Sequence, residues 1–132
     1  MTSLARRVLW SFALLLLSSA VANAGDLVGK WTADFDSPIG PQKYAYDFKL
    51  EGDKLTGKAK FDHSMGKGEN VLSNIKVSGD EVSFTEILRF DGNEIVVTYK
   101  GKFVGEEIHF KREVGEFGVE DVVLKRAKDL AQ

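Results

Sequence analysis

The sequence contains no cysteine, two prolines and two histidines among its 132 residues. Without cysteine no disulfide can form, so a small fold must be stabilised by burial and backbone hydrogen bonds alone. The two histidines, His63 and His109, are far apart in the chain and do not have the spacing of metal ligands. We therefore expect no metal site and no cofactor.

Long apolar runs are confined to the beginning of the chain. A basic pair at positions 6 and 7 precedes an apolar run at positions 8–17, and the small residues Ala22-Asn23-Ala24 follow. This order is typical of an export signal that is cleaved after Ala24, and the run is shorter than the roughly 20 residues of a membrane-spanning helix. We expect residues 1–24 to be a signal peptide. Residues 25–132 would then form a single secreted or periplasmic domain, with no membrane attachment after the signal is removed.

An excess of basic charge is also lacking. Loss of Arg6 and Arg7 with the signal reduces the 18 basic residues to 16, against 20 acidic residues, which gives a net charge of −4. A mildly acidic surface does not attract nucleic acid or anionic lipid. We therefore expect no nucleic-acid partner, and we expect the protein to be a monomer.

The sequence is instead rich in glycine, and its apolar residues alternate with a period of two. Five of the thirteen glycines, all of which follow the signal, recur at intervals of thirteen: Gly66, Gly79, Gly92, Gly105 and Gly118. Dividing the 108 residues after the signal by thirteen gives about eight units of a strand and a turn. From Lys30 onward apolar residues alternate with period two. This pattern predicts strands at 28–36, 42–51, 54–62, 69–77, 81–90, 93–103, 106–114 and 118–126.

The turns predict how the strands pair. With hairpin tips at Gly52-Asp53 and Asp91-Gly92, apolar side chains of consecutive strands face each other and opposite charges pair on the other face. A slip of one residue would invert both faces. The sequence therefore predicts an all-β fold, an eight-stranded antiparallel up-and-down meander closed into a small barrel. A two-sheet sandwich is the alternative.

Charged residues occupy positions where the periodicity demands apolar ones. Glu86 and Arg112 both fall on the inner face of their strands. When the turns are projected together, Ser73, Glu86, Val97 and Arg112 form one interior row, with Glu86 and Arg112 on either side of Val97. This row predicts that the two charged side chains meet inside the barrel.

The last strand has an ambiguous parity. If Val122 and Leu124 point inward, Glu120 and Arg126 point inward as well. The barrel would then hold two acids and two bases, which can neutralise one another as a structural ion-pair cluster.

The same residues also allow two functions. In a binding site, Arg112 would hold a carboxylate or sugar hydroxyls while Tyr44, Tyr46 and Tyr99 line the cavity. We include Arg126 and Ser73 among the candidate binding residues. In a catalytic site, Glu86 and Glu120 would serve as the acid and the base or nucleophile of glycoside hydrolysis, and the separation of their carboxyl groups decides whether that chemistry can take place.

The sequence also predicts a long loop and an aromatic plug at one end of the barrel. The stretch from Asp62 to Glu69 is polar and glycine-rich, which predicts a loop long enough to act as a lid. Trp31 begins the first strand and is expected to plug one end of the barrel.

Several segments together resemble a known group of proteins. Gly29-Lys30-Trp31 is similar to the start of lipocalin-like barrels, and three other stretches are shared more specifically: Phe35-Asp36-Ser37-Pro38-Ile39-Gly40-Pro41-Gln42-Lys43-Tyr44, Lys54-Leu55-Thr56-Gly57-Lys58-Ala59 and Val123-Leu124-Lys125-Arg126. Over nearly the whole chain after the signal, it resembles small exported bacterial β-proteins, some of which are labelled glycoside hydrolase or endo-1,4-β-xylanase.

The resemblance implies a glycan-directed protein, a xylanase-like hydrolase acting on a β-linked polysaccharide. The predicted interior positions of Glu86 and Glu120 make them the candidate catalytic pair, with Arg112 as an electrostatic aid. It supplies no catalytic motif, and the chain shows none of the active-site strands of jelly-roll xylanases. The alternative is a non-catalytic lipocalin-like barrel that binds a small apolar or acidic ligand.

Overall fold

The computed structural model describes residues 24–37, 40–63 and 66–127. The expected signal peptide, apart from Ala24, lies outside these residues, as does the chain beyond residue 127. A short helix α1 (Ala24–Leu27) precedes eight strands: β1 (Gly29–Ser37), β2 (Gly40–Glu51), β3 (Lys54–His63), β4 (Gly66–Ser78), β5 (Glu81–Phe90), β6 (Asn93–Val104), β7 (Glu107–Val114) and β8 (Gly118–Arg126).

The strands pair in chain order, and β8 closes the sheet by pairing with β1. Every pairing is antiparallel. The predicted eight-stranded up-and-down barrel is therefore confirmed, and the sandwich is excluded. Alternate side chains of each strand point into the barrel, where the aromatic rings of Tyr46, Phe48, Phe84 and Tyr99 pack together in the centre.

The two ends of the barrel differ. At one end, which we call the closed end, α1 lies across the strands and its Leu27 is fully buried. Trp31 is buried beneath it, and its indole N–H donates a hydrogen bond of 2.8 Å to the Leu27 carbonyl oxygen. The guanidinium of Arg126 lies 4.0 Å from the centre of the Trp31 ring and donates to the carbonyl oxygen of Val28 at 2.7 Å. The other end, where β1 leads to β2 and β7 leads to β8, is called the mouth.

The predicted row of interior polar residues was wrong at two positions. Arg112 pairs with Tyr99 rather than with Val97, because the turn between β6 and β7 has its tip at residues 105 and 106, one residue later than the row requires. Gly105 leads this turn with a φ of +61°, in the left-handed region that glycine adopts without strain.

A β-bulge accounts for the second error. Between Ser73 and Lys76 the register of β4 against β5 shifts by one residue, and Asn74 in the bulge has a φ of +52°. Leu72 therefore lies opposite Glu86 and is buried, whereas Ser73 is exposed on the outer surface.

The expected lid is also absent from residues 62–63 and 66–69, because these residues extend the ladder between β3 and β4. Asp62 pairs with Lys67, and His63 pairs with Gly66. The Lys67 ammonium lies 3.7 Å from the Asp62 carboxylate, so opposite charges support the continued pairing. His63 shares the inward parity of Phe61, and the two rings stack with their centres 5.1 Å apart.

The ladder that closes the barrel between β1 and β8 is short. Within the described residues these strands share two ladder pairs, Trp31 with Arg126 and Thr32 with Lys125, whereas β1 and β2 share nine and β7 and β8 share eight. Both pairs lie near the closed end. We call the facing, unladdered edges of residues 33–36 in β1 and residues 118–124 in β8 the seam, and it extends toward the mouth.

Candidate functional site

Seven polar side chains form a connected cluster inside the barrel, which extends from the central rings of Tyr46 and Tyr99 toward the mouth. This interior cluster consists of Tyr44, Tyr46, Asn70, Glu86, Tyr99, Arg112 and Glu120. Each is placed by the two-residue alternation of its strand, which sends every second side chain inward. Glu86 has no exposed surface and Arg112 is 2% exposed, whereas the Glu120 side chain is 16% exposed.

Arg112 lies at the centre of the interior cluster. Its Nε donates to the hydroxyl of Tyr99 at 2.8 Å, and its two terminal nitrogens donate to Glu120 Oε1 at 2.7 Å and to the hydroxyl of Tyr44 at 2.9 Å. The nearest oxygen of Glu86 is 3.7 Å away. Every nitrogen of the guanidinium therefore already has an acceptor inside the barrel.

The charge of Arg112 is secured by its surroundings. Burial alone would lower the pKa of Arg112, but Tyr99, Tyr44 and Glu86 outweigh burial and raise it. The guanidinium carbon also lies 5.4 Å from the centre of the Phe35 ring and 5.1 Å from that of Tyr44, which adds cation–π attraction. Arg112 is thus a fixed positive charge in the barrel.

Glu86 is fully satisfied by neutral donors. The Tyr99 hydroxyl donates to its Oε1 and the Asn70 amide donates to its Oε2, both at 2.8 Å. Because the Tyr99 proton is directed at Glu86, the 2.8 Å contact between the hydroxyls of Tyr46 and Tyr99 is donated by Tyr46. Each oxygen of Glu86 therefore has a donor inside the barrel.

Glu120 differs from Glu86 in its second oxygen. Its Oε1 accepts from Arg112, but its Oε2 is buried and has no hydrogen-bond partner among the described residues. A buried carboxylate oxygen without a donor is costly, about 1–3 kcal/mol or more, and such atoms are rare in folded proteins. The position of this oxygen therefore indicates where an additional donor would be favourable.

The three tyrosines act as neutral groups. Burial raises the pKa of Tyr44, Tyr46 and Tyr99 well above the ordinary value for tyrosine, and the negative charge of Glu86 raises it further. The interior cluster therefore contains two carboxyl groups, one guanidinium and three neutral phenols. It has one more acidic group than basic groups.

Glu120 is also the charged member closest to the outside. It lies on β8 two residues after Gly118, along the seam, where β1 offers no ladder partner within the described residues. Phe35 of β1, which is half-buried, covers this side of the interior cluster and stacks on Tyr44 at 5.6 Å. Phe35 also lines an open surface pocket of about 210 Å³ with Asp34, Asp36, Pro41, Gln42 and Lys43. This residue thus contacts both the pocket and the interior cluster.

Models of known protein families, curated proteins and solved structures gave no match to this chain. Across residues 24–37, 40–63 and 66–127, no helix is long and apolar enough to cross a membrane. In the same part of the chain, no group of three or more histidine, aspartate or glutamate side chains is arranged to hold a metal ion.

The structure brings six of the eight candidate site residues together: Tyr44, Tyr46, Glu86, Tyr99, Arg112 and Glu120. The other two are elsewhere. Ser73 is on the outer surface, and Arg126 caps Trp31 at the closed end, six residues along β8 from Glu120 and hence roughly 20 Å away at the rise of a strand.

Sequence reasoning missed two residues of the site. Asn70 points inward only because the bulge at Asn74 shifts β4 by one residue, and an asparagine, which tolerates the left-handed conformation, is the sequence signal for that bulge. The sequence predicts Phe35 only as a residue of the first strand. Its contact with Arg112 depends on how the first and last strands meet, a long-range property that no local residue pattern predicts.

Proposed function

We propose that the protein is a non-catalytic binding protein that takes a small molecule along the mouth side of the seam. In this proposal Glu120 accepts a hydrogen bond from the ligand through its Oε2 atom. The observation that carries the proposal is that this oxygen is buried beside the seam with no donor among the described residues. A ligand donor would satisfy the oxygen without disturbing the bond from Arg112 to Oε1.

The surroundings of Glu120 support the proposal. Small-molecule sites combine apolar walls with a few placed polar groups. Phe35 and Phe61 supply half-buried aromatic surface at this end of the barrel, and Val114 adds an aliphatic side chain. Glu120 supplies the polar anchor, because it is the charged side chain of the interior cluster that retains some exposure.

The geometry favours binding over glycoside hydrolysis. A hydrolase needs its two carboxyl groups on either side of a sugar bond, about 5–5.5 Å apart in retaining enzymes or about 6.5–9.5 Å apart in inverting ones, with room for the substrate. Glu86 and Glu120 instead both face Arg112. Glu86 is fully buried with both oxygens engaged, so a sugar could reach it only by displacing Arg112.

The glycan-directed hydrolase remains the second candidate, because the two acids that the hypothesis requires do lie in one interior cluster, joined through Arg112. Its test is release of reducing sugar from xylan by the purified protein. Activity that is lost in Glu86→Gln and in Glu120→Gln, with both variants folded, would establish hydrolysis and displace the binding proposal. No release of sugar would remove this candidate.

The binding proposal is tested by thermal unfolding of the purified protein with a panel of small aromatic alcohols and amines. We expect compounds with a hydrogen-bond donor to raise the unfolding temperature, since a ligand that binds only the folded state stabilises it. The effect should be reduced in Glu120→Gln, whose amide would present N–H groups to the ligand donor. Asp121→Asn is the matched control, because Asp121 is the next residue on β8 and is exposed. Absence of stabilisation by every compound, or equal stabilisation of Glu120→Gln, would refute the proposal.

A further inference from the structure

We infer that the ligand is a primary ammonium cation attached to a flat apolar group, such as an arylalkylamine, in which a short alkyl chain joins the ammonium group to an aromatic ring. This inference rests on the proposed function, and it names the chemical class that the same site takes. Three features support it: the charge count of the interior cluster, the occupied donors of Arg112, and the aromatic and acidic surroundings of the seam.

The charge count favours a cation. Glu86 and Glu120 face a single guanidinium, so the cluster contains one carboxyl group that Arg112 does not balance. Charges buried in a protein are stable when they are paired. A ligand with one positive charge would balance the remaining carboxyl group. A neutral ligand would leave the net charge of the interior cluster unchanged, and an anion would make it more negative.

The contacts of Arg112 do not favour an anionic ligand at this position. Three of its five N–H groups, one on each nitrogen, donate to the hydroxyls of Tyr99 and Tyr44 and to the Oε1 atom of Glu120. A carboxylate ligand that took the place of Glu120 on Arg112 would leave Glu120 as a buried carboxylate with neither oxygen bound. The expectation from the sequence that Arg112 holds an acidic ligand is therefore not supported by its contacts.

The orphaned oxygen favours a cation that is also a donor. An ammonium group donates up to three hydrogen bonds, and a charged donor on a carboxylate forms a shorter and roughly twofold stronger bond than a neutral one. A quaternary ammonium group has the charge but no N–H. The combination of an unbalanced acid and a donorless oxygen on one residue, Glu120, thus selects a primary amine.

The walls near Glu120 suit the apolar body of such a ligand. Phe35 and Phe61 are half-buried rings on either side of Tyr44. Ring faces attract cations and stack on flat apolar groups. Arg112 already uses this attraction on its inner side, so a second cation could lie against the outer side of the same group of rings.

The outer edge of the seam is acidic as well. Asp34 and Asp36 are exposed on β1 and line the surface pocket beside Phe35, with Lys43 as the cation among the pocket residues. Two negative charges against one positive charge give a local field that attracts a cation during approach. The local field and the buried carboxyl group of Glu120 therefore both favour a cationic ligand.

The experiment compares four ligands that share a phenyl ring and differ in charge and in hydrogen-bond donors on the purified protein: benzylamine, benzyl alcohol, benzyltrimethylammonium and benzoate. Dissociation constants are measured by calorimetry at neutral pH and low ionic strength, on wild type, Glu120→Gln and Asp121→Asn. We expect benzylamine to bind wild type at least about tenfold more tightly than any of the other three, a difference of roughly 1.4 kcal/mol. We expect Glu120→Gln to lose this preference and Asp121→Asn to retain it.

Each other outcome has a defined meaning. Equal binding of benzyl alcohol would overturn the cation inference while the proposed function stands, whereas preferred binding of benzoate, which has no hydrogen-bond donor, would overturn both. Equal binding of benzyltrimethylammonium would overturn the requirement for a donor and with it the proposed function, in which the ligand donates to Glu120. Failure of all four to bind would overturn the proposed function together with the inference. Thermal unfolding of each variant shows that it is folded before its binding is compared.

Discussion

Glu120 and Arg112 face each other across β7 and β8, and the 2.7 Å hydrogen bond between them uses one oxygen of the carboxylate. The other oxygen is buried without a donor among the described residues. Glu86, the second acid that faces Arg112, has donors on both of its oxygens. Glu86 therefore has hydrogen-bond donors inside the protein for both of its oxygens, whereas Glu120 can still accept a hydrogen bond from a ligand.

The first prediction concerns the stability of the interior cluster. Arg112→Met should lower the free energy of unfolding by about 3–5 kcal/mol, because it leaves two buried carboxyl groups without their counterion. The triple variant Glu86→Gln, Arg112→Met and Glu120→Gln should recover most of this loss, since it removes all three charges together. Urea denaturation measures both values.

Lys111→Met is the control for that series, because Lys111 is the adjacent residue on β7 and its side chain is exposed. We expect a change within about 0.5 kcal/mol. If the triple variant were no more stable than Arg112→Met, the loss would reflect packing rather than charge, and the cluster would not be the coupled network described above.

The second prediction concerns alkaline pH. All three tyrosines of the protein belong to the interior cluster, so the ultraviolet absorbance of tyrosinate reports on the cluster alone. Their raised pKa values predict no ionisation near pH 10 while the barrel is folded. Ionisation should coincide with unfolding, which circular dichroism follows independently.

The sign of the effect on stability follows from the same pKa values. A group whose pKa is raised in the folded state holds its proton more tightly there. It therefore stabilises the folded state fully below its unfolded-state pKa of about 10, and this stabilisation is lost as the pH rises above that value. The free energy of unfolding should fall by up to about 4 kcal/mol per pH unit above pH 10, at about 1.4 kcal/mol for each tyrosine. Reversible ionisation of a tyrosine near pH 10 in the folded protein would contradict the buried placement.

How far the sequence predicted this arrangement depends on the kind of signal. The alternation of apolar residues and the glycine turns predicted the number, order and direction of the strands, because period two and tight turns are local properties. Glu86, Arg112 and the three tyrosines were placed inside for the same reason. The tip of the turn at Gly105 lies one residue later than predicted, which moves the partner of Arg112 by two residues and keeps Arg112 inside. The bulge at Asn74 shifts the register of β4 by one residue, and a shift of that size moves a residue such as Ser73 from the inner to the outer face.

The seam was not predictable from the residue pattern. It depends on how the first and last strands meet after the whole sheet has curved, and this is a long-range property of the barrel. For the same reason, the ambiguous parity of β8 was settled by its pairing with β7, which turns Glu120 inward opposite Arg112.

The third prediction concerns the seam. The Lys30 carbonyl oxygen accepts from the Ala127 N–H, so the alternation of a strand directs the backbone N–H groups of Asp34 and Asp36 toward β8. Residues 33–36 have no ladder partner in β8 within the described residues. In hydrogen exchange followed by NMR, we expect the amides of Asp34 and Asp36 to exchange at least about tenfold faster than those of Ala33 and Phe35, which face β2.

Uniform protection along β1 would contradict the seam. It would mean that β1 and β8 are paired along their whole length in solution. The comparison within one strand is its own control, because neighbouring residues share the same solvent, temperature and sequence context.

The fourth prediction concerns the closed end. Arg126→Gln should lower the free energy of unfolding by about 1–2 kcal/mol, because it removes the cation from the Trp31 ring and the donors from the carbonyl oxygens of Val28 and Asp26. Lys125→Gln is the matched control, since Lys125 makes a 3.9 Å exposed ion pair with Glu107, a type of contact that contributes little. Equal effects of the two substitutions would mean that the cap over Trp31 adds nothing to stability.

The central claim is that Glu120 anchors a cationic donor, and a crystal structure of the protein soaked with benzylamine tests it most directly. We predict the ammonium nitrogen within about 3 Å of Glu120 Oε2, the length of a charge-assisted hydrogen bond, with its ring against Phe35 and Arg112 still bound to Oε1. Benzylamine bound elsewhere, or bound with its nitrogen directed away from Glu120, would contradict the claim.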